Sequence, residues 1–531
     1  MVLRIVVFGS GAVLMGLEIV GSRVLAPYFG SSVYVWGSLI SIFLAALSLG
    51  YYLGGRAADR WPRAGVLASS ISLAGVLILA LPLIFRPVLE AFSAWDLGPR
   101  LSPLLASIVL FVLPSILMGA TSPFAIKLAA TDLATVGNTA GLLYAISTAG
   151  SIAGTLLTAF VLIPAMGVRA ILYTLGVSLL AFAGLLAARA VYARRLVRQV
   201  VTASLLLLVL APDQAQAQSA AQGFTPPRFG TGLSAPTAAQ SDGLQLIFEK
   251  DTVYHHIRVY EDATWRLLRF DRSLQGGMLL KNPLESPHRY PDYAQLAWLF
   301  DAGIKRVLMV GLGAGSISKR ILHDYPQATV ESVEIDPVVV DVAKRFFQVT
   351  EDRRHAIITQ DGRQFVRRAE GRYDLIVMDA YNAEGIPFHL ATREFLQLAK
   401  SKLAPGGIIA AHIVGFLEGP DSKLFRALYK TYASEFPTLY PFGVSVALRR
   451  DEQEVRSIIL IATNRPRITK REMVGALGLL RREKRVSPVL QAAFLNDYYE
   501  KAIPTADVPV LTDDYAPIDT LPVWGWQPER R

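Results

Sequence analysis

Cysteine does not occur anywhere in the 531 residues, which excludes disulfides, thiolate nucleophiles and cysteine-ligated metals while leaving the compartment open. The sequence holds no metal-ligand constellation of other residue types. It also has no stripe of interleaved basic and aromatic residues, so the formal charge of +10 is not read as a nucleic-acid footprint. Many of its arginines lie in short loops between apolar runs, where they act as topology signals. The polarity of a soluble enzyme is missing too, since 52% of the residues are hydrophobic and the mean hydropathy is positive. Part of the chain is therefore expected in lipid.

The apolar residues are concentrated before about residue 212. A bilayer core of about 30 Å needs about 20 apolar helical residues, and such runs fall near 3–25, 33–54, 66–85, 103–126, 141–164 and 168–191. A seventh run, 196–211, follows Arg194, Arg195 and Arg198 and is short for a span, which gives a helical transmembrane bundle of six to seven spans over 1–211. Read alone, Arg194 to Gln218 has the form of a signal peptide, but it lies inside the chain. Arg56, Arg60 and Arg63 after the second run and Arg189 to Arg198 after the sixth mark cytoplasmic loops. The expectation is a multi-pass protein of the inner membrane, with the N-terminus inside and the soluble half in the cytoplasm if 196–211 does not cross. Gly50 to Gly54 and Gly150 to Gly154 have the spacing of close helix packing. Glu18 lies deep in the first run, where an ionisable group is costly and could meet a cationic substrate. Arg23 could equally snorkel at its helix end.

Residues 212–242 are rich in Ala, Gln, Ser, Pro and Gly with little periodicity and read as a connector. The soluble half, 243–531, opens with alternating runs at Leu244–Phe248, Tyr254–Tyr260 and Trp265–Phe270 that predict a small antiparallel sheet within 243–285. From 286 to 465 strand and helix patterns alternate, as a parallel α/β sheet requires. The remainder, 466–531, is an extension.

Arg306–Val310 reads as a buried strand running into Gly311-Leu-Gly-Ala-Gly315 and then a helix from Ser316. Glycines there let the backbone turn sharply and approach a ligand. A second strand, Val330–Val333, ends in Glu334-Ile-Asp336, which puts a carboxylate about 20 residues downstream, where ribose hydroxyls lie. Ala356–Thr359 leads to Asp361-Gly362, whose carboxylate could accept from an adenine amine, and Tyr373–Met378 ends at Asp379. Each acid falls at the carboxyl end of a predicted parallel strand, where open α/β sheets bind ligands.

These motifs in this order resemble the spermidine synthase, or polyamine aminopropyltransferase, family of class I methyltransferase-like Rossmann folds, over about residues 245–465. His255 stands where that family has a cofactor-contacting glutamine, Gln275 lies in the turn before the core helix, and Tyr290-Pro-Asp292 stands where the family has Tyr, a variable residue and Glu. Leu17-Glu-Ile, Ser22-Arg-Val-Leu-Ala-Pro27 and Leu49-Gly50 to Arg56 resemble the membrane half of fused bacterial members. The resemblance implies transfer of an aminopropyl group from decarboxylated S-adenosylmethionine to a small cationic amine such as putrescine, without metal. It implies Asp379 as the catalytic residue and His255, Gln275, Gly311, Gly313, Gly315, Glu334, Asp361 and Gly362 around the co-substrate. Tyr290, Asp292, Tyr381 and Asn382 would line the amine site. The lipid bilayer is the other expected partner, and a homodimer is allowed.

Two positions depart from the family pattern. Ala314 replaces an aspartate in the glycine turn, and Asn382 replaces the second carboxylate of the Asp379 loop. Both remove negative charge where cationic groups would bind, which makes ordinary S-adenosylmethionine a competing co-substrate. The alternatives are therefore a methyl- or aminocarboxypropyltransferase, and a polyamine transporter or sensor with a degenerate synthase domain. His389 reads as structural, and Thr512 to Pro517 as a turn.

Overall fold

The structure is a computed structural model. It describes residues 1–189 and 243–521 apart from Ser31, Asp96, Thr131, Leu133, Ala134, Arg272, 382–384, 445–454, Pro488, 519 and 520. The run at 196–211, the connector 212–242 and Asn382 lie outside the described residues. The chain divides into two compact units, Met1–Gln222 and Gly223–Arg531.

Among the described residues of the first unit, six helical segments are long and apolar enough to cross a membrane: Val2–Phe29, Val33–Arg60, Ala64–Trp95, Arg100–Ala129, Val136–Ala165 and Val168–Ala188. They coincide with the six runs expected from sequence. Large apolar side chains such as Leu44, Leu83 and Phe160 are exposed on them, which suits a surface facing hydrocarbon. Both glycine pairs pack helices closely. A β-carbon at Gly150 or Gly154 would stand 2.0 Å from the Phe8 carbonyl oxygen or 2.1 Å from that of Ala12, and one at Gly50 would stand 2.4 Å from that of Ile116. The fifth helix carries a π turn at Thr158–Leu162. Glu18 is half-buried in the first helix.

The second unit begins with an antiparallel sheet of β1 (Gln245–Asp251), β2 (His256–Glu261), β3 (Trp265–Phe270) and β4 (Ser273–Leu279), in that order. The fourth strand corrects the expectation that Gln275 sits in a turn. Gly276-Gly277 break the alternating pattern in the sequence, yet they extend the strand because a β-carbon at Gly277 would meet the Arg266 carbonyl oxygen at 2.4 Å. β2 starts at His256, so His255 falls in the loop before it.

A seven-stranded sheet follows, built from β5 (Arg306–Val310), β6 (Thr329–Glu334), β7 (His355–Thr359), β8 (Tyr373–Met378), β9 (Leu403–Gly415), β10 (Thr438–Gly443) and β11 (Arg456–Thr463). The spatial order is β10-β11-β9-β8-β5-β6-β7. β5 to β9 pair in parallel, while β11 is antiparallel to both β9 and β10. This is the Rossmann-like arrangement of class I methyltransferases. Successive residues of β5 serve opposite cores: Leu308 and Val310 pack with Val366, Phe395 and Leu424, whereas Val307 and Met309 pack with Ile317 and Met473. Helices therefore cover both faces, as a parallel sheet needs. The order in which strands are added reverses at β5, with β6 and β7 laid down on one side of it and β8 and β9 on the other. The crevice beyond their carboxyl ends is the ligand site expected of this topology.

Candidate active site

The turn after β5 is made by glycines at positive φ, +100° for Gly311, +52° for Gly313 and +69° for Gly315. A β-carbon at Gly311 would stand 2.0 Å from the Asp379 carbonyl oxygen, so this glycine lets the β5 turn and the β8 loop lie back to back. One at Gly313 would meet nothing within 4 Å, leaving that side open to a ligand. Gly315 caps the helix Ser316–Asp324. Ala314 is buried against the small sheet with Ile257, Phe270 and Met278.

Glu334, at the end of β6, braces this turn. One of its oxygens accepts from the Leu312 and Gly313 amides at 3.1 and 3.5 Å, and the other from the Asp336 amide at 3.1 Å. Burial raises its pKa against these bonds. Asp336 caps Pro337–Phe346 through the Val338 amide and accepts from the Thr252 hydroxyl at 2.5 Å. The same hydroxyl oxygen accepts the His255 amide at 3.0 Å. His255 itself stacks on Phe270 at 4.3 Å, and burial lowers its pKa although Asp336 and Asp271 pull it up. Gln275 is half-buried on β4.

Asp361 caps Gly362–Arg368 through the Gln364 amide at 2.9 Å, and its other oxygen meets His389 Nε2 at 3.1 Å. Burial alone would raise its pKa, but the charge and hydrogen bond of His389, together with the Gln364 amide and Arg363, bring it below the ordinary carboxylate value. His389 is buried, with Nδ1 lacking a hydrogen-bond partner. Gly362 serves packing, since a β-carbon there would lie 2.5 Å from Val310 Cγ1. Next to Asp361, Arg363 makes a two-pronged ion pair with Asp513, at 2.7 and 2.5 Å. The turn Thr512–Tyr515 is thereby tied to this side of the crevice.

Asp379 follows β8, and both its oxygens are held. Oδ1 lies 2.8 Å from His412 Nδ1, and Oδ2 accepts from the Tyr290 hydroxyl at 3.1 Å. Tyr290 stacks on the His412 ring at 3.7 Å, and burial, with Asp379 beside it, pushes its phenol well above the ordinary range. The Tyr381 hydroxyl donates to the His412 carbonyl at 3.1 Å and accepts from the Val414 amide at 2.8 Å, which pins the Asp379 loop to β9. Asp292 pairs with Arg320 at 3.2 Å, and burial raises its pKa in spite of that partner. The sequence alone does not single out His412, whose Nε2 also lies 3.0 Å from the Ser457 hydroxyl. His412 lies in an apolar run and its partners are 33 and 45 residues away. A lone imidazole inside a buried strand is nonetheless a signal, because such a group requires partners.

Of the expected residues, the glycine turn, Glu334, Asp361 and Asp379 fall at the carboxyl ends of β5, β6, β7 and β8, whereas Gln275 lies on the small sheet and Asn382 lies outside the described residues. The open side of the glycine turn lies at the end of β5 beside Glu334, and the backbone of Asp379 lies against the turn while its carboxylate is held among the rings of Tyr290 and His412. Among the described residues no cluster of three or more potential ligands could hold a metal.

Residues 292–437 match the family described as the spermine/spermidine synthase domain. The chain is 33% identical to the polyamine aminopropyltransferase of Vibrio vulnificus over 208 residues, covering 38% of this chain and 68% of that protein. It is 29% identical to putrescine N-methyltransferase 1 of Nicotiana tabacum over 225 residues, covering 38% and 56%. A probable spermidine synthase from Corynebacterium glutamicum superposes with a TM-score of 0.39 at 18% identity, covering 49% of this chain and 99% of that structure. With a third of the aligned residues shared with the Vibrio protein across two-thirds of its length, the chain belongs to the polyamine aminopropyltransferase family of enzymes.

Proposed function

We propose that the protein is a membrane-integral aminopropyltransferase that moves the aminopropyl group of decarboxylated S-adenosylmethionine to a small amine such as putrescine, releasing methylthioadenosine. The observation that carries this reading is the position of Asp379, which lies against the glycine turn with its carboxylate oriented by Tyr290 and His412. A sulfonium is already a good leaving group. The protein's work is to align the reactants and to take a proton from an ammonium that is otherwise not nucleophilic. In this reading Gly313, Glu334, Asp361, His255 and Gln275 hold the adenosyl group. Tyr290 and Tyr381 offer ring faces to the cationic amine, and Asp379 accepts its proton.

The test uses the full chain in lipid nanodiscs, supplied with decarboxylated S-adenosylmethionine and a panel of amines. Release of methylthioadenosine is expected, with kcat falling about 10²–10⁴-fold in Asp379→Asn. No release with any amine, or an unaffected variant, removes the proposal. Methyl transfer from ordinary S-adenosylmethionine is the second reading. It is favoured by the similarity to putrescine N-methyltransferase and by Ala314, which puts no charge in the turn. Tighter binding of S-adenosylmethionine than of its decarboxylated form would select it.

The six apolar segments support a bilayer location, and the arginines after the second one support a cytoplasmic catalytic unit. Because the chain has no cysteine, a single cysteine introduced at exposed Val474 reports its own side. A membrane-impermeant maleimide applied to intact spheroplasts should leave it unlabelled, and labelling before lysis would reverse the orientation.

A further inference from the structure

Asp361, at the carboxyl end of β7, has its two oxygens held differently. Oδ1 accepts from the Gln364 amide at 2.9 Å, and Oδ2 lies 3.1 Å from His389 Nε2. A carboxylate has about four acceptor positions, so capacity for a ligand remains, and the side chain is 11% exposed. The side chain of His389 is only 3% exposed. Its Nδ1 has no hydrogen-bond partner, so among the described residues the ring makes its one hydrogen bond to Asp361. Because a carboxylate only accepts, the Nε2 that faces it carries the hydrogen. Arg363 Nη1 donates to the His389 carbonyl oxygen at 2.8 Å and fixes the backbone beneath the ring. The charged groups on this side are Arg363 on the helix that Asp361 caps, Asp513 paired with it, and Glu394, whose carboxylate accepts from the Asp513 amide at 2.9 Å.

A carboxyl group is an acceptor when ionised and a donor when protonated, and the two forms recognise different purines. The carboxylate accepts from the 6-amino group of an adenine, whereas a 6-oxo group facing it would set oxygen against oxygen. We propose that His389 is a positioning residue: by donating from Nε2 it holds the Asp361 carboxylate in place as an acceptor, and this side of the crevice thereby selects a 6-aminopurine over a 6-oxopurine. The inference rests on the adenosyl reading of the crevice given above. The electrostatics agree with the geometry. Burial raises the pKa of Asp361, and His389 leads the influences that bring it below the ordinary value, ahead of the Gln364 amide and Arg363. With the imidazole present the acceptor form persists until the pH falls below the ordinary carboxylate range. With the imidazole removed, burial dominates and the pKa rises, so the protonated, donating form appears at milder acidity.

The test is calorimetry on the full chain in nanodiscs with methylthioadenosine and methylthioinosine, which differ in carrying an amino or an oxo group on the purine. A wild type that does not bind methylthioadenosine removes the adenosyl reading, and the inference with it. A wild type that binds it is expected to prefer it by about 100-fold, evenly between about pH 7.5 and about pH 5. Equal binding of the two nucleosides overturns the inference and leaves the adenosyl reading standing. In His389→Leu the preference should shrink below about 10-fold as the pH approaches about 5, because a protonated carboxyl donates to the 6-oxo group. His389→Gln, whose amide reaches the place of Nε2, should restore the preference. A merely structural imidazole would weaken both nucleosides together and leave the preference and its pH dependence unmoved. That result overturns the inference, as does a leucine variant that matches the wild type or a glutamine variant no better than leucine. If His389→Leu loses its thermal unfolding transition, His389→Asn takes its place under the same expectations, since the shorter amide falls short of Asp361.

Discussion

Glycine solves different problems in the two units. In the helical unit Gly150 and Gly154 keep ordinary helical backbone, and what matters is the missing β-carbon, which lets two helices approach until carbonyl oxygens occupy its place. In the catalytic unit Gly313 has open space around it, and what matters is its positive φ. Gly311 needs both freedoms, since its φ is +100° and the Asp379 carbonyl oxygen fills the space of a side chain. The spacing GxxxG and the spacing GxGxG thus report two unrelated constraints, although each looks like a run of small residues.

Alanine at three of these positions separates the constraints. Gly311→Ala combines forbidden backbone with a buried clash and should destabilise the catalytic unit by about 4 kcal/mol, abolishing turnover even at saturating amine. A thermal scan of the purified full chain with a co-substrate binding assay would show it. Gly154→Ala brings the clash alone, partly offset by alanine's better helix propensity, and should cost about 1–2 kcal/mol. Its effect should appear in detergent-dependent unfolding of the helical unit while co-substrate affinity stays constant. Gly313→Ala brings strained φ alone, at about 1 kcal/mol of stability, but its methyl group would occupy the open side of the turn. Calorimetry should therefore find weaker co-substrate binding with a nearly unchanged melting temperature. Equal costs at 154 and 311, or a Gly313→Ala protein that binds normally, would dissolve the distinction.

Much of this architecture was legible before any coordinates. Glu334, Asp361 and Asp379 announce themselves because each ends a short apolar run, and the parallel sheet turns that spacing into proximity. The six apolar segments are equally plain, since about 20 consecutive apolar residues admit few alternatives. β4 was hidden by Gly276-Gly277, whose reason for being in a strand is close neighbours, the Ala314 side chain at Gly276 and the Arg266 backbone at Gly277, and not any local propensity. His412 was hidden for a related reason. Its meaning comes from Asp379 and Ser457, and only the β8-β9-β11 adjacency brings those three together. His389 likewise acquires its role from Asp361, 28 residues earlier. Local pattern reveals elements and the acids at their ends, while imidazoles that work through partners stay silent until the strand order is known.

The bridge from Arg363 to Asp513 spans 150 residues of sequence, and Leu511 and Ile518 enter the same core as Phe395 and Leu424. A minimal fragment trimmed at the last sheet strand would therefore keep every residue of the glycine turn and still lack the counter-ion of a nearly buried guanidinium beside Asp361. Domain boundaries chosen for expression or for grafting this catalytic unit onto another protein should run past Ile518, because the final segment works as a rivet for the Asp361 side of the crevice and not as a tail.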